Sequence, residues 1–146
     1  MKIRLFESQD TQAVIDLWQR CNLTVPWNDP LRDIDRKLAH SPELFFVGKI
    51  GKQLVAVCMA GYDGHRGWIY YLGVDPTFRR QGLAADIMEY AEAVLKSRGC
   101  PKIDLMVRDS NQAVIEFYQR IGYMKDPVCV LSKRLVSDEP DVDLPG

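Results

Sequence analysis

The sequence contains no cluster of metal-binding side chains. Its four cysteines, Cys21, Cys58, Cys100 and Cys129, are scattered without a CxxC pair, and its two histidines stand well apart. Zinc sites are assembled from closely spaced ligands, so no metal is expected, and scattered thiols read as reduced cysteines of a cytoplasmic protein. No apolar run approaches the ~20 residues that span a bilayer, and MKIRLFESQD lacks the apolar core of a secretory signal. No membrane association is expected. An excess of charge is missing too, since 19 Lys and Arg face 20 Asp and Glu, for a net charge of −1. Acids are concentrated in the last ten residues, SDEPDVDLPG, which leaves the remainder mildly basic. That falls short of the dense basic face that nucleic acid requires, though a small anionic ligand stays open. What is present is an ordinary globular composition: 146 residues, 47% hydrophobic and 27% charged. One domain over 1–136 is expected, followed by a loose acidic tail over 137–146.

Periodicity divides the chain into alternating elements. IRLF reads as a strand, after which Asp10 can cap a helix whose buried stripe is Val14, Leu17, Trp18 and Cys21. The stiff loop TVPWNDP leads to Asp29-Pro30, an N-cap followed by proline at the first helical position, and Leu31, Ile34 and Leu38 form the next buried face. LFFVGKI and LVAVCMA are strands joined at Gly51-Lys52, and WIYYLGV is a third beyond the YDGHRG turn. A long helix follows FRRQG, with a stripe of Leu83, Ile87, Met88, Ala91, Val94 and Leu95 ending at Gly99. KIDLMV is then a strand, SNQAVIEFYQRIGY a helix, and PVCVLSKRL a last strand. Strand, helix, strand at this spacing implies a right-handed crossover between parallel strands, within an α/β domain whose earlier strands form antiparallel hairpins.

The most informative stretch is WIYYLGVDPTFRRQGLA and the helix it opens. A helix N-terminus carries unsatisfied N–H groups and partial positive charge, which suit phosphate oxygens. Gly82 allows close backbone approach, and Arg79 and Arg80 add fixed charge. The GxxxxGK[ST] loop and the GxGxxG fingerprint of nucleotide sites are both absent. A solvated basic turn before an unremarkable helix would explain the same residue types.

Arg79-Arg80-Gln81-Gly82-Leu83-Ala84 resembles the [RQ]xxGx[GA] signature of the GNAT (GCN5-related) N-acetyltransferases, and it sits between a strand ending LGVDP and a long helix. Further on, Asn111-Gln112-Ala113-Val114-Ile115-Glu116-Phe117-Tyr118 and then Ile121-Gly122-Tyr123 resemble the second signature of that family. The element order is similar along nearly the whole chain. The resemblance implies a mixed, mostly antiparallel sheet with a central parallel pair splayed around the cofactor and about four helices on its faces. It implies acetyl-CoA as cosubstrate. The strands around Leu72–Val74 and Ile103–Val107 would part, and the pantetheine arm would pair with the main chain of Leu72, Gly73 and Val74. Arg79, Arg80, Gln81, Gly82, Leu83, Ala84 and Ala85 would hold the pyrophosphate, and Asn111 would touch the cofactor arm.

The resemblance also gives Tyr118 a role. On residue type alone it is a core aromatic on the apolar face of its helix. In the family it is the general acid, and a phenol of pKa about 10 can protonate a thiolate whose conjugate acid has a pKa of about 8–9. The reaction would be direct attack of a neutral amine on the thioester, with a backbone amide near Val74 stabilising the oxyanion. Many relatives place a carboxylate base on the strand before the signature; here Trp68 to Val74 holds none, and Met106 stands where some relatives have an acid. Asp104 could take the proton or merely sit at a sheet end, and Asp63 and His65 could reach the acceptor pocket or only shape the turn. Tyr70 could line that pocket or pack in the core, and a water relay is equally open, so the base is unassigned. Trp27 and Asp29 are candidates for holding a cationic amine, or they only pack and cap. The acceptor would be a small-molecule or peptide amine, and hydrophobic edge strands would support a homodimer. A binding or sensing module that holds acetyl-CoA without transfer is the alternative.

Overall fold

The structure is a computed structural model that describes residues 1–139. Five strands, β1 (Lys2–Leu5), β2 (Phe45–Ile50), β3 (Gln53–Tyr62), β4 (Gly67–Val74) and β5 (Ile103–Leu105), form one sheet in sequential order. The first four pair antiparallel and β4–β5 pair parallel. Four helices cover it: α1 (Thr11–Arg20), α2 (Pro30–His40), α3 (Leu83–Ser97) and α4 (Gln112–Arg120). None of the described helices is long and apolar enough to cross a membrane.

Strand alternation divides the core between the two sheet faces. Phe45, Val47, Val57 and Met59 pack with Val14, Leu17 and Trp18 of α1 and Ile34 of α2. Phe46, Ala56, Cys58 and Ala60 turn the other way, onto Ile87, Met88, Ala91 and Leu95 of α3 and Tyr118 of α4. The expected caps and turns are largely met. The Asp29 carboxylate accepts from the amides of Leu31 at 3.0 Å and Arg32 at 3.4 Å. Gly51, at φ +60°, closes the β2–β3 hairpin opposite Lys52, next to the Ile50–Gln53 pair.

The register of β3 on β4 contains the feature that shapes the site. Val57 pairs with Gly73 and Met59 with Tyr70, so Cys58 alone faces the two residues Tyr71 and Leu72. This is a β-bulge, and Tyr71 takes the left-handed φ of +53° that it demands. The extra residue resets the alternation. Trp68, Tyr70 and Tyr71 all reach the α2 side, while Leu72 and Val74 pack on the α3 side. β5 follows β4 only as far as the Leu105–Ile69 pair, so Tyr70 to Val74 have no strand beside them there.

Five expectations are corrected. PVCVLSKRL is not a strand: its chain joins no ladder, and Val128, Val130, Leu131 and Leu135 are exposed. Its would-be neighbour β5 is three residues long, and Pro127 has no N–H with which to start a ladder. The parallel β4–β5 pair therefore lies at the end of the described sheet, not at its centre. Leu31 faces solvent, leaving Ile34 and Leu38 to pack. Asp10 does not cap α1 with its side chain, because its carboxylate is held by the Arg4 guanidinium at 2.7 and 2.9 Å and closes the preceding 3-10 turn by accepting from the Glu7 amide at 2.8 Å. The tail is not loose over Ser137–Glu139, where Asp138 is buried against α2; residues 140–146 lie outside the described part.

Candidate active site

The site begins where β4 loses its neighbour. The main chain of Leu72, Gly73 and Val74 pairs with β3 on one side and faces a gap on the other. Gly73 is a close approach: a Cβ there would stand 3.2 Å from Leu23 Cδ1 and 3.3 Å from the Cys21 sulfur. Beyond Val74, the buried Asp75 staples the next turn by accepting from the Thr77 amide at 2.9 Å, the Thr77 hydroxyl at 2.8 Å and Arg20 at 2.9 Å. Burial would push the Asp75 carboxyl up, but these hydrogen bonds hold it below the usual carboxylate range. It is spoken for as a structural anion.

That staple delivers the chain to α3 in an unusual shape. Arg80 and Gly82 both adopt left-handed φ, +64° and +75°. Gly82 is the N-cap and has no side chain with which to cap. Among the described residues, the amides from Arg80 to Ala85 meet no protein acceptor. Six successive free donors at a helix start, flanked by Arg79 and Arg80, form a cradle suited to phosphate oxygens. Asn111 lies at the N-cap of α4, exposed and without a side-chain cap bond, so its side-chain amide is also available.

Tyr118 is buried on α4 between the rings of Phe117 and Tyr123. Cys58, the β3 residue opposite the β4 bulge, acts on it electrostatically. Burial, with a smaller contribution from Cys58, raises its phenol well above the ordinary value, and Cys58 itself is pushed by burial to about 12. The Tyr118 hydroxyl has no hydrogen-bond partner among the described residues. It is a protonated donor without an acceptor among the described residues, whereas the Tyr123 hydroxyl donates a hydrogen bond to Glu92 at 2.8 Å.

On the α2 side of the bulge lies a cavity of about 570 Å³, lined by α2, β3 and β4. Two of the expected acceptor residues reach it, Asp63 and Tyr70. Asp63 is occupied, accepting from the amides of His65 at 2.8 Å and Arg66 at 2.7 Å and from the Trp68 indole at 3.4 Å. Those bonds hold its carboxyl below the usual range, which makes it a poor proton acceptor. Burial raises the Tyr70 phenol, with Asp63 adding to the shift. The other three do not line the cavity. His65 lies in the turn, Asp29 caps α2, and Trp27 is exposed beneath the Arg108 guanidinium, 5.6 Å from its ring centre, where it ties the α1–α2 loop to the chain leaving β5. Asp104 is engaged by Lys102 at 3.5 Å and Arg66 at 3.9 Å.

Sequence reasoning missed the groups that α2 contributes. Asp33 accepts a hydrogen bond from the Tyr71 hydroxyl at 2.6 Å and an ion pair from Arg36 at 3.2 Å. Burial and the Asp33 carboxylate push the Tyr71 phenol upward. Lys37 donates to the Ser41 hydroxyl at 2.8 Å and to the Ala60 carbonyl, and burial lowers its pKa. Helical spacing put Asp33, Arg36 and Lys37 on one face, but only the bulge that turns Tyr71 toward α2 shows that this face is a cavity wall. No group of three or more His, Cys, Asp or Glu side chains gathers as a metal site among the described residues.

Residues 11–123 match the Acetyltransferase (GNAT) family. An acetyltransferase of Sodalis glossinidius is 51% identical over 140 residues, spanning 95% of this chain and 99% of the relative. One from Pectobacterium atrosepticum is 51% identical over 138 residues, 94% of this chain and 98% of its own. Among solved structures, Ard1 from Thermoplasma volcanium superposes with a TM-score of 0.76 at 25% identity, covering 84% of this chain and 82% of the other.

Proposed function

The chain belongs to the GNAT acetyltransferase family, and on that premise we propose that it moves an acetyl group from acetyl-CoA to a primary amine by direct attack, with Tyr118 as general acid. The observation that carries the reading is the unpaired edge of β4, which runs directly into the turn of free amides at α3. The first supplies main-chain groups for an extended amide-bearing arm, the second a seat for its pyrophosphate, and the fit needs no metal ligand. Acetyl-CoA would supply the activated acetyl group as a thioester, whose bond to sulfur would break as the amine nitrogen bonds to the carbonyl carbon and gives up its proton to solvent.

The protein's own residues do the rest. Leu72, Gly73 and Val74 orient the arm through the main chain, and an amide near Val74 stabilises the oxyanion. Tyr118 holds a proton at its hydroxyl for the departing sulfur, and burial keeps that proton in place at neutral pH. Asp33, steadied by Tyr71, is the carboxylate to which an acceptor ammonium entering the cavity can pair. The setting is cytoplasmic, and the acceptor is a small amine or peptide.

Calorimetric titration of the purified, cofactor-free protein with acetyl-CoA, CoA and ATP tests the ligand class. Acetyl-CoA binding without an ATP response is expected. Release of free CoA thiol in the presence of amines then separates an enzyme from a module that only binds the cofactor. Folded protein that fails to bind acetyl-CoA would overturn the proposal.

A further inference from the structure

A carboxylate already occupies Arg36, a lining residue of the cavity, and it is the chain's own. Asp138 has a side chain that is 0% exposed. Arg36 grips it with both terminal nitrogens, at 2.6 and 3.1 Å. The Asp29 amide donates to it at 3.0 Å, and Arg32 and Arg134 stand at 3.8 and 3.9 Å. Forked, two-point contact with one guanidinium is the geometry by which arginine recognises carboxylates. The cradle also requires such a group electrically. Arg32, Arg36 and Arg134 outnumber Asp29 and Asp33 by one charge, and Asp138 neutralises the difference.

The strap that delivers Asp138 is weakly held before it arrives. Val128 to Val136 are exposed and join no ladder. Besides Asp138, the strap holds α2 and its loop through Arg134 to the Asn28 side chain and through the Ser137 carbonyl, which accepts from Arg32 at 3.5 Å. Withdrawing it would break few contacts and would free both terminal nitrogens of Arg36, which lines the cavity, from Asp138, leaving Asp33 at 3.2 Å as its remaining anionic partner.

Arg36 also touches Asp33, the carboxylate bonded to Tyr71 at the cavity wall. A cationic and an anionic group therefore stand side by side, one turn apart on α2. The complementary ligand carries a carboxylate and an ammonium on neighbouring atoms. We propose that the arginine cradle on α2 is the subsite for the carboxylate of an α-amino acid acceptor, and that Asp138 is a tethered stand-in which the acceptor displaces. The fate of the amine rests on the acetyltransferase reading; the carboxylate subsite does not.

The test uses the full chain and two probes of like shape, acetate and neutral acetamide, with binding followed by chemical shifts. Asp138→Asn keeps the shape of the side chain and removes its charge, and Asp138→Ala guards against a retained amide contact. Shortening the chain is unsuitable, since it would place a new terminal carboxylate near the same arginines. Freed from a tethered competitor at an effective concentration in the mM range, both variants should bind acetate about tenfold tighter than the parent. The shifts should centre on the Asp29 amide and Arg36, and acetamide should produce none. Equal acetate affinity in all three proteins, or shifts elsewhere, would make Asp138 a structural tie and overturn the proposal. With acetyl-CoA present, both variants should show a lower KM for an α-amino acid but not for its decarboxylated amine. Acetate binding as expected with no transfer to any amine would support the subsite and count against the transferase reading alone.

Discussion

The two halves of the cleft that we propose, one for the cofactor and one for the acceptor, are built in opposite ways. The cofactor half is one continuous stretch of chain: β4, the Asp75 staple, the Arg79–Gly82 turn and the first turn of α3. Its working groups are main-chain amides, and the side chains serve mainly to fix backbone shape. The acceptor half is assembled from residues far apart in sequence, with Asp33 and Arg36 from α2, Asp63 after β3, Tyr70 and Tyr71 from β4, and Asp138 from beyond the last helix. Its working groups are side chains whose partners depend on how elements pack. A backbone site is specified locally and depends on conformation; a side-chain site is specified by tertiary structure and depends on charge.

The contrast predicts which substitutions hurt binding and which hurt turnover. The largest effect is expected at Tyr118, which belongs to neither half and serves the bond between them. Tyr118→Phe removes the phenol hydroxyl and leaves the aromatic packing in place. Turnover should fall about a hundredfold or more, the range for loss of a positioned general acid, with acetyl-CoA affinity unchanged by calorimetry. Turnover equal to the parent's would remove the assigned role. Because burial raises this phenol above its ordinary pKa, the parent should show no alkaline loss of activity from Tyr118 up to about pH 10.

Next is Asp33→Asn, which should strike the acceptor half alone. Loss of a charge-assisted contact to an ammonium costs about 1.5–3 kcal/mol, a rise in acceptor KM of at least about tenfold. Acetyl-CoA affinity, read by the same calorimetry, should not move. A parallel loss of acetyl-CoA binding would show that the two halves are not separable.

How far the molecule was legible follows from the same contrast. Arg79 to Ala84 announced their turn because glycine, arginine and a helix start are all local signals, and the hairpin at Gly51-Lys52 and the cap at Asp29 are local in the same sense. Tyr71 was not legible, because its orientation depends on a bulge created by register against β3. Asp33 looked like an ordinary polar residue on an amphipathic helix until the bulged tyrosine met it. Asp138 was read by composition as part of an acidic tail, and composition does not reveal the arginine that buries one acid among several. Asp63 and Trp27 differ in the other direction: the carboxylate is taken by the local amides of His65 and Arg66, and the aromatic ring by Arg108 from far along the chain.

A substitution at Gly82 probes the cofactor half in its own terms. A Cβ there would meet nothing within 4 Å, so any effect comes from the backbone angle of +75° and not from crowding. Gly82→Val forces a β-branched residue into the left-handed region, at a cost of roughly 1–2 kcal/mol. The turn can relieve that strain only by giving up its geometry. Acetyl-CoA affinity should fall about tenfold, while acceptor KM at saturating acetyl-CoA stays near the parent's. Unchanged affinity would mean that the amides of this turn do not hold the cofactor.

The smallest expected effect sharpens the boundary of the acceptor half. Leu131 lies in a segment whose alternation reads as a strand, yet it is 93% exposed and the segment joins no ladder. A leucine in a packed strand contributes about 2 kcal/mol or more through buried area, whereas a surface position contributes within about 0.5 kcal/mol. Leu131→Ser should therefore leave the denaturant midpoint where it was, and leave acetyl-CoA affinity untouched. Leu17→Ala, at a fully buried α1 position, gives the contrasting scale, with an expected loss of about 2–5 kcal/mol. A loss above about 1 kcal/mol at Leu131 would mean that the segment packs as a strand in solution. Asp138 would then be held by a built element, and its displacement by an acceptor would have to break that element as well as the Arg36 contact.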